Sequence, residues 1–108
     1  MAQILALIFI FNLHFTSVVL AAGDVKNGEN LFKKCISCHG ADGMGKKSQN
    51  APMIAGQYDW YVVSQVMAIK NKVRDNANTK KMYPFVKGLS QSEIEDLAAY
   101  ITQLPVKK

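Results

Sequence analysis

Beyond residue 22 the apolar positions of the chain repeat at helical spacing in three stretches, and two long polar, glycine-bearing gaps separate them. In the first stretch Val25, Gly28, Leu31, Phe32 and Cys35 share one face, with Lys26, Asn27, Asn30 and Lys33 turned away. Asp24 precedes it as an N-cap, so the spacing predicts a helix running to about Cys35, with the cysteine in its last turn. Gly28 lies in the interior of that helix, where glycine costs about 1 kcal/mol relative to alanine. Its presence points to a place where another backbone comes close; a tolerated exposed glycine is the plainer alternative.

The second stretch, residues 59–73, carries Val62, Val66, Ile69 and Val73 at helical spacing, and Trp60, Tyr61 and Met67 broaden the apolar surface. These aromatic and methionine residues are read as core. In the third, Ser90 and Glu93 stand three apart as a capping box. Ile94, Leu97, Ala98, Ile101 and Leu104 form its buried stripe, Tyr100 extends it, and Pro105 ends it. The pattern predicts an all-α domain of three main helices and two long loops.

The gaps are residues 40–57, with Gly40, Gly43, Gly45, Pro52 and Gly56, and residues 74–89, with Asn76, Asn78, Met82, Pro84 and Gly88. Irregular loops this long count against a compact domain unless something other than protein fills the space between them. A large apolar cofactor removes the objection.

The first 22 residues contain no charged side chain. Ile4 through Phe11 is unbroken apolar sequence, and the segment closes on small residues, with Val19 and Ala21 where a signal peptidase reads. The expected division is a signal peptide over residues 1–21 and one domain over residues 22–108. No basic residue precedes the apolar run, so an uncleaved membrane anchor is the alternative. His14 is a passenger in this leader. With 108 residues in all, there is room for a single domain.

All 13 basic and 8 acidic residues follow the leader, giving that domain the whole formal charge of +5. The basic residues form neither an arm nor one helical stripe, which argues against nucleic acid. A mildly basic surface instead favours an acidic protein patch or an anionic membrane face.

Chemistry concentrates in Cys35-Ile36-Ser37-Cys38-His39, which holds both cysteines and the single histidine outside the leader. Cys-x-x-Cys-His is the attachment signature of c-type haem: two thiols add across the vinyl groups and the imidazole becomes the proximal iron ligand. A structural zinc site lacks its fourth ligand here. A thioredoxin-type redox pair belongs after a strand, and no strand pattern precedes Cys35. Export to an oxidising compartment agrees with haem attachment.

The occupant of the sixth iron position separates electron carriers from ligand-binding or catalytic haems. With the histidine used, methionine leads, and Met44, Met53, Met67 and Met82 are available. Met44 is too near His39 to reach the other haem face, and Met67 lies mid-helix, where packing explains it. Met53 sits in the first loop, beside the proximal side. Met82 lies in the second loop, which can close the far face, and is the favoured distal ligand; Met53 and an open iron stay as alternatives.

These residues resemble the short bacterial class I cytochromes c, the single-haem forms and each half of the two-haem periplasmic carriers. Gly28 and Phe32 with Cys35 to Gly43 are similar to their first helix and haem site. Met82, Val86 to Ser90, and Leu97 to Ile101 are similar to their distal loop and last helix. The resemblance implies a small all-α fold in which the first and last helices cross near Gly28, with Phe32, Leu97 and Tyr100 at the contact. It implies one covalent haem c held by Cys35 and Cys38, with His39 and Met82 on the iron and the Pro52 carbonyl accepting the Nδ1 hydrogen of His39. It further implies a periplasmic one-electron carrier in respiratory electron transport, with no catalysis of its own. The expected partners are redox proteins with acidic docking surfaces: a membrane oxidase, a reductase or a dehydrogenase. Lys46, Lys47, Lys80 and Lys81 are candidates for that docking, solvated loop lysines being the plain alternative. A haem subunit of a larger oxidoreductase, and a gas-binding or peroxidatic haem protein, are the competing readings.

Overall fold

The structure, a computed structural model, describes residues 23–108, and Asn12 alone of those before them. The signal-peptide reading of residues 1–21 therefore lies outside the described residues. Five α-helices follow one another: α1 (Val25–Phe32), α2 (Ile36–His39), α3 (Asp59–Lys70), α4 (Tyr83–Val86) and α5 (Gln91–Gln103), with 3₁₀ turns at Lys47–Gln49 and Thr79–Lys81. The described residues hold no strand, only an isolated antiparallel bridge between Lys46 and Ala51. The fold is all-α, as the periodicity predicts.

α1 starts where expected. The Asp24 carboxylate accepts from the amides of Lys26 and Asn27, satisfying two N–H groups that have no partner within the helix. It ends earlier than the spacing predicts, at Phe32. The amides of Lys33, Lys34 and Cys35 bond to the carbonyls of Asn30, Leu31 and Phe32, three residues back instead of four. This tightened turn closes α1 and lets α2 begin as a separate short helix with Cys35 at its N-cap. Cys35 is therefore the N-cap of α2 and Cys38 lies within it, so neither hangs from the last turn of α1.

Helices α1 and α5 cross at Gly28. A Cβ there would run into the backbone carbonyl of Asp96 and come 2.8 Å from the Tyr100 Cβ, so the expected close approach of another backbone is the reason for the glycine. The Phe32 and Tyr100 rings meet at 5.3 Å, tilted by 54°. Asp96 ties the same ends together: its carboxylate accepts from the Asp24 amide at 2.7 Å and from the Asn27 side chain at 2.8 Å.

α3 packs on α5, and Val62, Val66 and Ile69 join Ile94, Leu97, Ala98 and Ile101 in the core. Here two expectations fail. The helix stops at Lys70, because Lys72 turns into the left-handed region (φ 57°) and the amides of Val73 and Arg74 both return to the Ala68 carbonyl. Val73 is thereby excluded from the stripe and 82% exposed. Trp60 is 65% exposed and stacks on Tyr58, so neither it nor the exposed Tyr61 is core. Met67, by contrast, packs against the core as expected.

The gaps are more ordered than their composition predicts. In the first, the amides of Ile54 and Ala55 both bond to the Gly43 carbonyl, and Gly56 bonds to the Ile101 carbonyl of α5. In the second, the Asn76 side chain caps the amides of Asn78 and Thr79. Thr79 is buried and accepts from the Asn76 amide in return. Pro84 in the first turn of α4 starts a helix the residue pattern concealed, since a proline costs nothing where the N–H has no helical partner. The capping box at Ser90 forms in full, with Glu93 N donating to Ser90 Oγ at 3.1 Å and Ser90 N to Glu93 Oε1 at 3.0 Å.

Candidate metal and cofactor site

α2 is a single turn closed by Gly40 (φ 83°), whose amide bonds to the Ile36 carbonyl. It presents Cys35, Cys38 and His39 to one cavity of about 510 Å³, a size common for cofactor sites. Val62, Val66 and Ile69 of α3 and Leu97 and Ile101 of α5 form its apolar walls. Pro52, Met53 and Ile54 enter it from the first loop, and Met82 and Phe85 from the second. The lengths of the two gaps are thus explained by a shared boundary: both wrap this space.

His39 is buried, with 7% of its surface exposed. Its Nδ1 donates to the Pro52 carbonyl oxygen at 2.9 Å, the one role open to a ring nitrogen against a carbonyl. That bond holds the ring with Nδ1 as the donor and leaves Nε2 as the atom available to ligate a metal. Of the four methionines considered, Met53 and Met82 line the cavity, whereas Met44 and Met67 do not. Met53 follows the residue that anchors His39 and is 48% exposed; Met82 comes from the other loop and is partly buried against the core.

Burial pushes the Cys35 thiol from its ordinary 9.0 up to about 11; the neighbouring Cys38 adds to this and Lys34 opposes it. The thiol is therefore protonated at neutral pH. Asp42, just past the motif, is held below its ordinary range by the Met44 amide, which donates to it at 3.1 Å, and then by Lys107 at 3.2 Å.

The donor set fits a covalently attached haem. Two thiols stand one turn of helix apart, an imidazole nitrogen and a thioether sulfur face the same cavity, and apolar side chains supply most of the walls. Among the described residues no group of three or more histidine, cysteine and carboxylate side chains is placed to hold a metal ion by itself.

The lysines divide. Lys81 lines the cavity, Lys46 donates to the Ser37 carbonyl between the two cysteines at 3.1 Å, and Lys47 and Lys80 line no part of it. Lys34 and Arg74 line it although the residue pattern did not single them out. Lys34 could have been read from its place next to Cys35; nothing local marks Arg74, which the α3 turn brings in.

A helical chain with this motif and this cavity defines a haem protein of the c type. The cytochrome c family model matches residues 25–105, and the chain belongs to that family of electron-transfer proteins, which binds haem c covalently. It is 38% identical over 79 residues to cytochrome c-554(548) of Halomonas halodenitrificans, covering 73% of this chain and 94% of that one. It is 36% identical over 70 residues to a thiosulfate dehydrogenase electron acceptor of Thiomonas intermedia, covering 65% of this chain and 31% of that protein. The crystal structure of reduced cytochrome c4 from Pseudomonas stutzeri superposes with a TM-score of 0.70 at 28% identity, over 79% of this chain and 53% of that one. The chain thus matches c-554(548) almost from end to end but spans about half of cytochrome c4.

Proposed function

We propose that the protein is a periplasmic one-electron carrier holding a single haem c, with His39 and Met82 as axial ligands. One observation carries this reading: an imidazole held through Nδ1 and a thioether sulfur, from separate segments of the chain, line the same cavity as both cysteines. Bound there, haem supplies the Fe(III)/Fe(II) couple. The protein's residues do the rest. Cys35 and Cys38 would tether the haem, the Pro52 carbonyl would raise the donor strength of His39, and Met82 as a ligand would favour the ferrous state and raise the potential. With His39 and Met82 both committed to holding the iron, the protein would carry electrons and catalyse nothing itself.

The test is the visible spectrum of the exported protein against Met82→Ala. The wild type is expected to show a c-type spectrum with a ferric iron–sulfur charge-transfer band. Survival of that band in Met82→Ala defeats the ligand assignment.

The partners in this reading are redox proteins with acidic docking patches that meet Lys34, Lys46 and Lys81 around the cavity. Electron-transfer rates should fall as salt rises; a flat dependence removes the docking claim. The similarity to a thiosulfate dehydrogenase electron acceptor favours a second reading, a haem-bearing component of a larger oxidoreductase, for which copurification of an enzyme subunit is the check.

A further inference from the structure

A second cavity, of about 340 Å³, lies beside the first and has a different chemistry. Its polar lining is Lys72, Arg74, Asp75, Thr79, Lys80 and Tyr83, so three cations face one carboxylate. Lys72, Asp75, Lys80 and Tyr83 line this cavity and not the cofactor cavity, while Ile69, Arg74 and Thr79 form a wall common to both.

Two of the three cations, Lys72 and Arg74, are held in place. Lys72 occupies the left-handed position (φ 57°) that closes α3, where glycine is the ordinary occupant. The Val73 and Arg74 amides lock that turn onto the Ala68 carbonyl at 2.8 and 3.0 Å. The Lys72 ammonium stands 4.7 Å from the centre of the Tyr83 ring, a cation–π contact that keeps the charge at the cavity. Arg74 is oriented by its bond to the Gln65 side chain at 3.1 Å. The 74–79 turn carrying Arg74 and Asp75 is fixed by the Asn76 and Thr79 bonds described above.

We propose that this cavity binds a small divalent oxyanion of the sulfate and phosphate class. Its excess of two positive charges matches a dianion, and the lysine and arginine donors match tetrahedral oxygens. Because the cavity shares a wall with the cofactor site, a bound anion would place negative charge beside that site. That stabilises the ferric state and lowers the reduction potential. The redox consequence rests on the haem reading above; the binding does not.

The experiment titrates the haem-loaded ferrous protein with sodium sulfate and, separately, with sodium chloride at matched ionic strength. It follows the Tyr83 ring resonances by NMR and, in parallel, the reduction potential. Sulfate alone should shift the Tyr83 resonances and lower the potential, both saturating at one apparent affinity. Lys72→Gln with Lys80→Gln should weaken that affinity about tenfold or more. Lys72→Gly relaxes the left-handed turn, so it should keep the melting temperature while still losing affinity, which separates binding from folding. Equal responses to chloride and sulfate overturn the proposal, as does an undiminished sulfate response in the double variant. If the haem's own carboxylates occupy these cations, sulfate has no effect, and that outcome overturns it too. The Tyr83 readout does not depend on which sulfur ligates the iron, so it can fail while the Met82 assignment stands, and the reverse.

Discussion

The α1–α5 crossing and the cavity on the other side of α5 are built on opposite terms. At the crossing, polypeptide meets polypeptide: Gly28 admits the Asp96 backbone, Phe32 packs on Tyr100, and the Asp96 carboxylate binds two groups of α1's first turn. Around the cavity the inward side chains of two loops, α3 and α5 face about 510 Å³ of space, and Met53 and Phe85 are each 48% exposed at its margin. One half of the molecule is thus complete as protein, and the other is completed by what it binds. A ligand that binds only the folded chain adds its binding free energy to the stability of that second half.

The largest expected effect breaks the first half. Gly28→Ala gains about 1 kcal/mol of helix propensity. The new methyl group, however, strikes backbone of α5 that cannot rotate away, and overpacking of this kind costs ~3 kcal/mol or more. The clash should win, lowering the stability of the haem-loaded protein by at least about 2 kcal/mol in urea unfolding. Gly88→Ala is the control, because its Cβ would meet nothing within 4 Å and its φ is not in the left-handed region. It should be neutral or stabilising by up to about 1 kcal/mol. Equal losses at the two glycines would show that α1 and α5 are not in the contact described.

A smaller effect separates the halves by pH. Desolvation raises the Cys35 thiol from 9.0 to about 11 in the haem-free fold. Below pH 9 the thiol is neutral folded or unfolded, and its titration contributes nothing. Between 9 and 11 the unfolded chain releases the proton while the folded one keeps it, so stability falls as pH rises. The loss should reach ~2 kcal/mol at most, given the two-unit shift and the thiol's partial burial. It should be absent from haem-free Cys35→Ser and from the haem-linked protein, whose thioether does not titrate. Urea midpoints of the three forms from pH 8 to pH 11 check this; parallel curves would place the thiol in water.

What could be read from the sequence follows the same division. The crossing was legible because its determinants are local: apolar spacing, Asp24 and Ser90 as caps, and a glycine inside a helix that needed a reason. The resemblance implied Pro52 as the anchor for His39, and the structure has the Pro52 carbonyl 2.9 Å from Nδ1. What was missed lies where long-range packing overrules local pattern. Trp60 and Tyr61 look like core by type, yet Trp60 stacks on Tyr58 at the surface and Tyr61 faces the cofactor cavity. The break between α1 and α2 depends on a switch from four-residue to three-residue hydrogen bonding that nothing in Lys33-Lys34-Cys35 announces. Arg74 reaches the cavity only through the left-handed turn at Lys72, a conformation not readable from lysine's preferences.

Among local devices, the capping box belongs to the complete half. Ser90→Ala removes the acceptor for Glu93 N and leaves the reciprocal bond from Ser90 N to Glu93 unsupported. The expected cost is about 1 kcal/mol, haem-loaded or haem-free alike. An effect confined to one form, in paired thermal melts, would mean that α5 is shaped by the cavity and not by its own cap.

The smallest effect concerns Asp42, which ties the first loop to the chain end: Oδ1 accepts from the Met44 amide at 3.1 Å and Oδ2 from Lys107 at 3.2 Å. These contacts lower its pKa, the amide contributing first. Its stabilisation is accordingly present above the ordinary carboxylate value of 3.8 and fades as pH falls through the lowered one. Asp42→Asn keeps an acceptor for Met44 and loses only an exposed ion pair, a kind of contact that is weak and screened by salt. Its melting temperature should match wild type at neutral pH in ordinary buffer, and Asp42→Ala, which also strands the Met44 amide, should melt lower. The wild type should lose its advantage over Asp42→Ala on acidification below pH 4. If Asp42→Asn proved as damaging as Ser90→Ala, the first loop would be held by charge at its edge, and the idea that the cavity's occupant completes that half of the molecule would have to be given up.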